Sequence, residues 1–220
     1  MEHYKDTYQF QGLRKKLVEL LKNKGIKDIA VLRAFEKIPR HFFFEKAFAE
    51  WAYQDKAFPI GKGQTISQPF TVAFQTQLLD IKKRETVMEI GTGSGFQAAV
   101  LATLGARVYT IERHEALHIT AKERLKKMGF AGIRFYFKDG YKGLPEFAPF
   151  HKILVTAAAP EVPIALKMQL KLGGKLVIPV GDEQGQKMLL ITRLDQQHFE
   201  EKEVGNFKFV PFLKGISREY

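Results

Sequence analysis

The chain contains no cysteine, which excludes disulfides, thiolate metal centres and cysteine nucleophiles. The six histidines are read as offering no paired metal-ligand spacing either, so no metal site is expected. There is no apolar run of about eighteen residues, and Met1 to Asp6 is polar and charged, so neither a membrane-spanning helix nor a cleaved leader is expected. A soluble, cytoplasmic protein with no membrane partner is the resulting expectation. No Pro/Gly/Ser-rich linker or low-complexity tract divides the 220 residues, and a hydrophobic content of 45% is enough for one substantial core. One domain with an N-terminal extension is expected.

Charge of one sign is not scarce. Lys and Arg number 35 against 24 Asp and Glu, a formal charge of +11, which suits acidic partners. The basic residues are dispersed over Arg14-Lys15-Lys16, Lys82-Lys83-Arg84 and Lys122 to Lys127, mostly on amphipathic helices or at turns. There they make a solvated face rather than a nucleic-acid stripe, so no nucleic-acid partner is expected.

Two segments carry the chemistry. Thr86-Val87-Met88-Glu89-Ile90 reads as a buried strand and Phe96 to Leu104 as the helix after it, with Gly91-Thr92-Gly93-Ser94-Gly95 in the turn between. Glycines there admit positive φ and close ligand approach, and the free N–H groups at a helix start favour anionic or electron-rich groups. A nucleotide-like ligand is expected. The dinucleotide fingerprint G-x-G-x-x-G would need glycine at position 96, which is Phe96. The other segment is Gln64-Thr65-Ile66-Ser67-Gln68-Pro69, which could supply the opposite wall of the same pocket. Ser67 also fits a helix N-cap, with Pro69 in the first turn and Phe70, Val72, Phe74, Leu78 and Leu79 on the helix.

Helices are expected over Tyr8 to Asn23, ended by Gly25, and over Asp28 to Ile38, ended by Pro39. The aromatic-rich stretch His41 to Trp51 is expected to pack them onto the body. From Thr86 strands and helices alternate: strands 86–90, 107–111, 133–137, 151–156 and 174–180, helices 96–104, 115–128 and 162–170. That alternation predicts a parallel, doubly wound sheet. Segments Lys187 to Thr192 and Asn206 to Pro211 lack an intervening helix and are expected to finish the sheet as an antiparallel hairpin. Ligands bind outside the carboxyl ends of such strands, which selects Gly91, Gly93 and Gly95, then Glu112, then Asp139-Gly140, then Ala157-Ala158-Ala159-Pro160. Glu112, ending the second strand, could hold ribose hydroxyls. Asp139 could accept from an exocyclic amine or be only an Asp-Gly turn.

Glu89 two residues before the first glycine and Glu112 on the next strand resemble the S-adenosylmethionine-dependent methyltransferases. The order Phe58-Pro59-Ile60-Gly61, Gly63 to Pro69, Glu89 to Gly95, Thr156 to Pro160, Gly173-Gly174 with Val177 to Gly181, and Phe209-Val210-Pro211-Phe212 resembles more closely the bacterial protein-L-isoaspartate O-methyltransferase family, from about Ala34 to Gly215. The Thr-Ile-Ser-Gln-Pro and Phe-Val-Pro segments lie outside the general methyltransferase signature.

That resemblance implies an α/β fold: a Rossmann-like, mostly parallel seven-stranded sheet, with a helical extension over 1–60 and a catalytic core over 61–215. It implies S-adenosylmethionine as cofactor, S-adenosylhomocysteine as product, and isoaspartyl-containing proteins and peptides as partners of a monomer. Carried over residue by residue, the active-site serine falls on Ser67. Cofactor contacts fall on Gln64, Thr65, Ile66 and Ser67, on Glu89, Gly91, Thr92, Gly93 and Gly95, on Glu112, and on Asp139 with Gly140. The peptide falls against Ser67, Val210 and Pro211. Phe70 stands where the family often has His or Tyr, and Phe212 where Leu is common. The implied acceptor is a carboxylate already ionised near neutral pH, so no general base is required, and the ester then closes to a succinimide that begins repair. An RNA methyltransferase of the same fold is the alternative; the chain lacks an Asn-Pro-Pro-Tyr motif and the cysteine of C5 methylation.

Overall fold

A computed structural model describes residues 5–182 and 184–218. Helix α1 (Tyr8–Asn23) is capped by the Thr7 hydroxyl, and α2 (Ile29–Lys37) by Asp28, whose carboxylate accepts from the N–H groups of Ala30 and Val31. Two 3₁₀ turns follow, Arg40–Phe43 and Lys46–Tyr53. A short antiparallel hairpin, β1 (Phe58–Gly61) and β2 (Gln64–Ile66), then leads into α3 (Pro69–Leu79).

Leu21, Val31 and Phe35 from the two N-terminal helices are buried in one cluster with Phe96, Ala98, Leu101 and Val108 of the body. Each fully buried side chain of this size is worth about 1.5–3 kcal/mol, so the extension is held by the same core as the sheet. The aromatic stretch works as packing: Phe43 meets the Phe96 ring edge-on at 5.3 Å, and Phe44 lies 5.3 Å from Phe58.

The central sheet has seven strands in the order β5-β4-β3-β6-β7-β8-β9. These are β3 (Thr86–Ile90), β4 (Arg107–Glu112), β5 (Arg134–Phe137), β6 (Phe150–Val155), β7 (Leu170–Gly181), β8 (Gln186–Arg193) and β9 (Phe199–Phe207). Strands β3 to β7 run parallel, and β8 and β9 close the sheet antiparallel. Helices α4 (Phe96–Thr103), α5 (Glu115–Lys127) and α6 (Ile164–Met168) connect the parallel strands. Strand order reverses between β3 and β6, which fixes the crevice at their carboxyl ends.

The hairpin is where expectation and structure part. Its second strand is Phe199–Phe207 rather than 206–211, and pairs across from Gln186–Arg193. Residues Glu200, Glu201, Lys202 and Glu203 are all exposed, so this edge strand carries no apolar alternation to reveal it. The segment after it leaves the sheet and returns over the carboxyl ends. Ala158 N–H donates to Val210 O at 2.8 Å, Phe212 N–H to Ala158 O at 2.7 Å, Gly215 N–H to Asp139 Oδ2 at 2.9 Å, and Ser217 N–H to Arg113 O at 2.7 Å. This terminal strap roofs the crevice.

Candidate active site

A cleft of about 810 Å³ lies at the switch point, between the glycine turn, the β2 segment and the terminal strap. Gln64, Thr65, Ile66, Ser67, Gly91, Thr92, Gly93, Glu112, Gly140, Val210 and Pro211 all line it. Glu89, Gly95 and Asp139, also expected as cofactor contacts, are not among its lining residues.

Each of the three has another task. Gly95 takes φ +89, and a Cβ there would meet Leu125 Cδ1 at 2.8 Å, so the position needs glycine to seat α4 against α5. Asp139 accepts backbone donors on both oxygens, Tyr141 N–H on Oδ1 at 2.9 Å and Gly215 N–H on Oδ2, which makes it an anchor of the strap and leaves each oxygen a further lone pair. Glu89 is fully buried beneath the glycine turn. Its Oε2 accepts from Thr110 Oγ1 at 2.5 Å, Thr110 in turn contacts Thr92 Oγ1 at 2.6 Å, and its Oε1 has no partner. Burial, opposed by the Thr110 hydrogen bond and aided by the charge of Glu112, pushes the Glu89 carboxyl up to about 8. Burial thus favours the neutral form of Glu89, and the Thr92 hydroxyl is engaged by Thr110.

Glu112, unlike Glu89, lines the cleft. It is 4% exposed, and accepts Gly93 N–H on Oε2 at 2.8 Å and His114 N–H on Oε1 at 2.9 Å. Each oxygen keeps a lone pair for an incoming hydroxyl. Gly91, at φ +97, could carry no side chain, because a Cβ would stand 2.4 Å from Thr156 Oγ1. A bare backbone cradle beside a buried carboxylate fits the ribose and methionine portions of S-adenosylmethionine. We expect Glu112→Ala to raise the dissociation constant for this cofactor about tenfold or more, the loss of hydrogen bonds to a charged acceptor. Glu112→Gln, which keeps one acceptor, should fall between. Calorimetry giving wild-type affinity for folded Glu112→Ala would refute the assignment.

Ser67 is not the helix cap its sequence context allows. The cap position of α3 is Gln68, and the free Phe70 N–H is taken by Asp55 Oδ1 at 2.8 Å. Among the described residues no group hydrogen-bonds the Ser67 hydroxyl. Beside the cleft runs an open groove of about 1200 Å³ lined by Phe70, Phe207, Lys208 and Phe209 among others; Thr65, Ser67, Thr156 and Val210 belong to both depressions. Thr156 was missed in the sequence, though the strand-end rule reaches the residue next to it. Its hydroxyl donates toward Ile90 O at 3.0 Å and Gly91 O at 2.9 Å. Phe96, Gln97 and Phe212 also line the cleft and carry no spacing signal of their own.

His114-Glu115-Ala116-Leu117-His118 has the spacing of a zinc-binding pair on a helix, which the expectation of no metal site overlooks. In the structure His114 stands at the cap of α5 and its ring Nε2 faces Arg113 Nη1 at 3.1 Å. Among the described residues no three His, Cys, Asp or Glu side chains converge on a metal position.

A glycine turn between β3 and α4, an acid at the end of β4 and a strand order reversing beside them are the arrangement expected of an S-adenosylmethionine-dependent methyltransferase. The model of the protein-L-isoaspartate (D-aspartate) O-methyltransferase family matches residues 12–217, and the chain belongs to that family. It is 57% identical over 210 residues to a protein-L-isoaspartate O-methyltransferase of Flavobacterium psychrophilum, covering 96% of this chain and 98% of that one. It is 51% identical to one of Cytophaga hutchinsonii, covering 94% of each. A solved protein-L-isoaspartate O-methyltransferase superposes with TM-score 0.82 at 30% identity, over 90% of this chain and 65% of that longer one. A Plasmodium falciparum structure described as the same enzyme in complex with S-adenosyl-L-homocysteine superposes with TM-score 0.81 at 25% identity, over 92% and 99%. Family membership makes the reaction carboxyl O-methylation of isoaspartyl residues, and the RNA alternative is not favoured.

Proposed function

We propose that Ser67, with the backbone of Val210 and Pro211, receives the isoaspartyl residue, while the glycine turn and Glu112 hold the methyl donor. The observation that carries this is that Ser67 lines both the cleft and the neighbouring groove. A peptide lying in the groove meets the cofactor there. When bound, S-adenosylmethionine supplies an electrophilic methyl group on a sulfonium.

The chain's own part is placement. Ser67 donates from a neutral hydroxyl to one oxygen of the acceptor carboxylate, which fixes its direction without pairing a full charge against it. Ala158 already takes the carbonyl of Val210 and the N–H of Phe212, which leaves the Val210 N–H and the Pro211 carbonyl for the substrate main chain. Backbone contacts of this kind read where the chain runs and leave its side chains free. The strap and the β1–β2 hairpin exclude water from the reacting groups. Glu112 is held by two N–H donors, so it is fixed before any ligand arrives.

The wider assignments follow the same reading: a single methyltransferase domain with its extension over 1–60, acting as a monomer in the cytoplasm. No helix among the described residues is long and apolar enough to cross a membrane.

Ser67→Ala is expected to lower kcat about tenfold per folded molecule, with cofactor affinity nearly unchanged and the melting temperature within a degree or two, since the hydroxyl caps nothing. Turnover of an isoaspartyl peptide, normalised to folded enzyme, together with cofactor calorimetry, tests it. Wild-type turnover would remove Ser67 from the mechanism.

A further inference from the structure

Arg40 opens the first 3₁₀ turn and is 1% exposed. Its Nε donates to the Ala52 carbonyl at 2.9 Å and its Nη2 to the Ser67 carbonyl at 2.9 Å. Its Nη1 is buried without a partner, and among the described residues no carboxylate lies within ion-pair distance. The guanidinium stands 4.5 Å from the Phe96 ring centroid and 5.5 Å from that of Phe44.

For a purely structural position this is a poor choice of side chain. Taking a cation out of water without a counter-ion is strongly unfavourable, and an apolar residue of similar volume commonly serves better. Cation–π contact returns only part of that cost. Burial lowers the Arg40 pKa to about 9, against the raising influence of Tyr53 and Asp55, so the group is still charged at neutral pH. What a planar fork does here, and an apolar residue cannot, is bond two carbonyls on separate segments while lying flat on an aromatic ring. One of those carbonyls belongs to Ser67, and the ring belongs to the first residue of the helix that follows the glycine turn.

We propose that Arg40 is a positioning residue for methyl transfer, locking Ser67 in register with the glycine-turn helix by bonding its carbonyl and stacking on Phe96. The two walls of the cleft come from segments that share no sheet pairing: Ser67 follows a two-stranded hairpin, and Phe96 follows β3 of the main sheet. A short polar clamp between them sets the distance from acceptor to donor, and a displacement of about 1 Å is enough to cost on the order of a hundredfold in rate. Phe96 is also held edge-on by Phe35 and Phe43 at 5.4 and 5.3 Å, so loss of the clamp frees the Ser67 side first.

This inference rests on the role given to Ser67, and the test separates the two. Arg40→Met keeps the volume and removes both hydrogen bonds. It is expected to lower kcat about tenfold per folded molecule and to change cofactor affinity less than about threefold. In a cycle with Ser67→Ala, the double variant should lose little more than the larger single loss, because Arg40 acts through Ser67. Arg40→Lys keeps the charge without the fork, and should recover only part of the rate; it stands in if Arg40→Met does not fold. A normal kcat in either folded variant, or losses that add in the cycle, would overturn the role of Arg40. A normal kcat in Ser67→Ala alone would overturn the Ser67 assignment instead.

Discussion

An L-isoaspartyl peptide is expected to be methylated with a kcat/KM at least about a hundredfold above that of the same peptide with a normal aspartyl link. Both peptides carry one carboxylate at that residue, so attraction to a chain of formal charge +11 cannot separate them. The difference is geometric. In the isoaspartyl peptide the main chain gains a methylene and the carboxylate sits directly on the α-carbon. A site that fixes the peptide backbone at Val210 and Pro211 and the carboxylate at Ser67 measures the separation of these groups. The strap holding the first pair is hydrogen-bonded to Ala158 in the segment after β6, which opposes its shifting to accept the wrong isomer. Steady-state kinetics on the two peptides, with equal flanking sequence, decides the matter. Comparable kcat/KM values would contradict this geometry and the family's reaction in this chain.

The second large effect concerns pH and stability. Glu89 has a folded-state pKa raised to about 8 by burial, whereas an unfolded glutamate ionises near 4.3. Below the lower value both states are protonated and the contribution is fully present. Between the two values only the folded state holds the proton, so stability falls as pH rises, by about 1.4 kcal/mol per unit at most. Above about 8 the loss levels off. Glu89→Gln keeps the shape, lets the amide oxygen accept from Thr110, and removes the titration. Its stability should exceed that of the parent at pH 8 by on the order of 2–4 kcal/mol and converge with it below about pH 4. Urea melts of both proteins at the two pH values test this, and parallel curves would show that Glu89 is not protonated in the fold.

Most of the architecture is legible in the chain because apolar periodicity tracks burial, on strands covered on both faces and on helices covered along one. The strand over 86–90 and the helix over 8–23 match to the residue. Legibility fails where burial is missing or the element is short. Strand β9 shows a run of exposed charges, and the β1–β2 hairpin is too short to show a period, its turn disclosed only by Gly61 and Gly63. In the site, the glycine turn and Glu112 can be read because they occupy strand ends in a fixed topology. Glu89, Gly95 and Asp139 have the same sequence credentials, yet they face the core, α5 and the strap. Which way a side chain turns at a strand end depends on neighbours far along the chain, and sequence spacing does not encode it. Arg40 is the opposite case. Nothing in its surroundings by sequence marks it, because its partners at positions 52, 67 and 96 meet it only after folding.

The terminal strap has a consequence in time as well as in space. Ser217 pairs with Arg113 and Glu115, and Gly215 with Asp139, so residues made late in synthesis complete walls begun a hundred residues earlier. Until residues 209–217 have folded back, the cleft lacks its roof at Val210, Pro211 and Phe212, whatever the state of the sheet. Completing the site therefore depends on contacts of high sequence separation, the kind whose loop closure costs the most entropy.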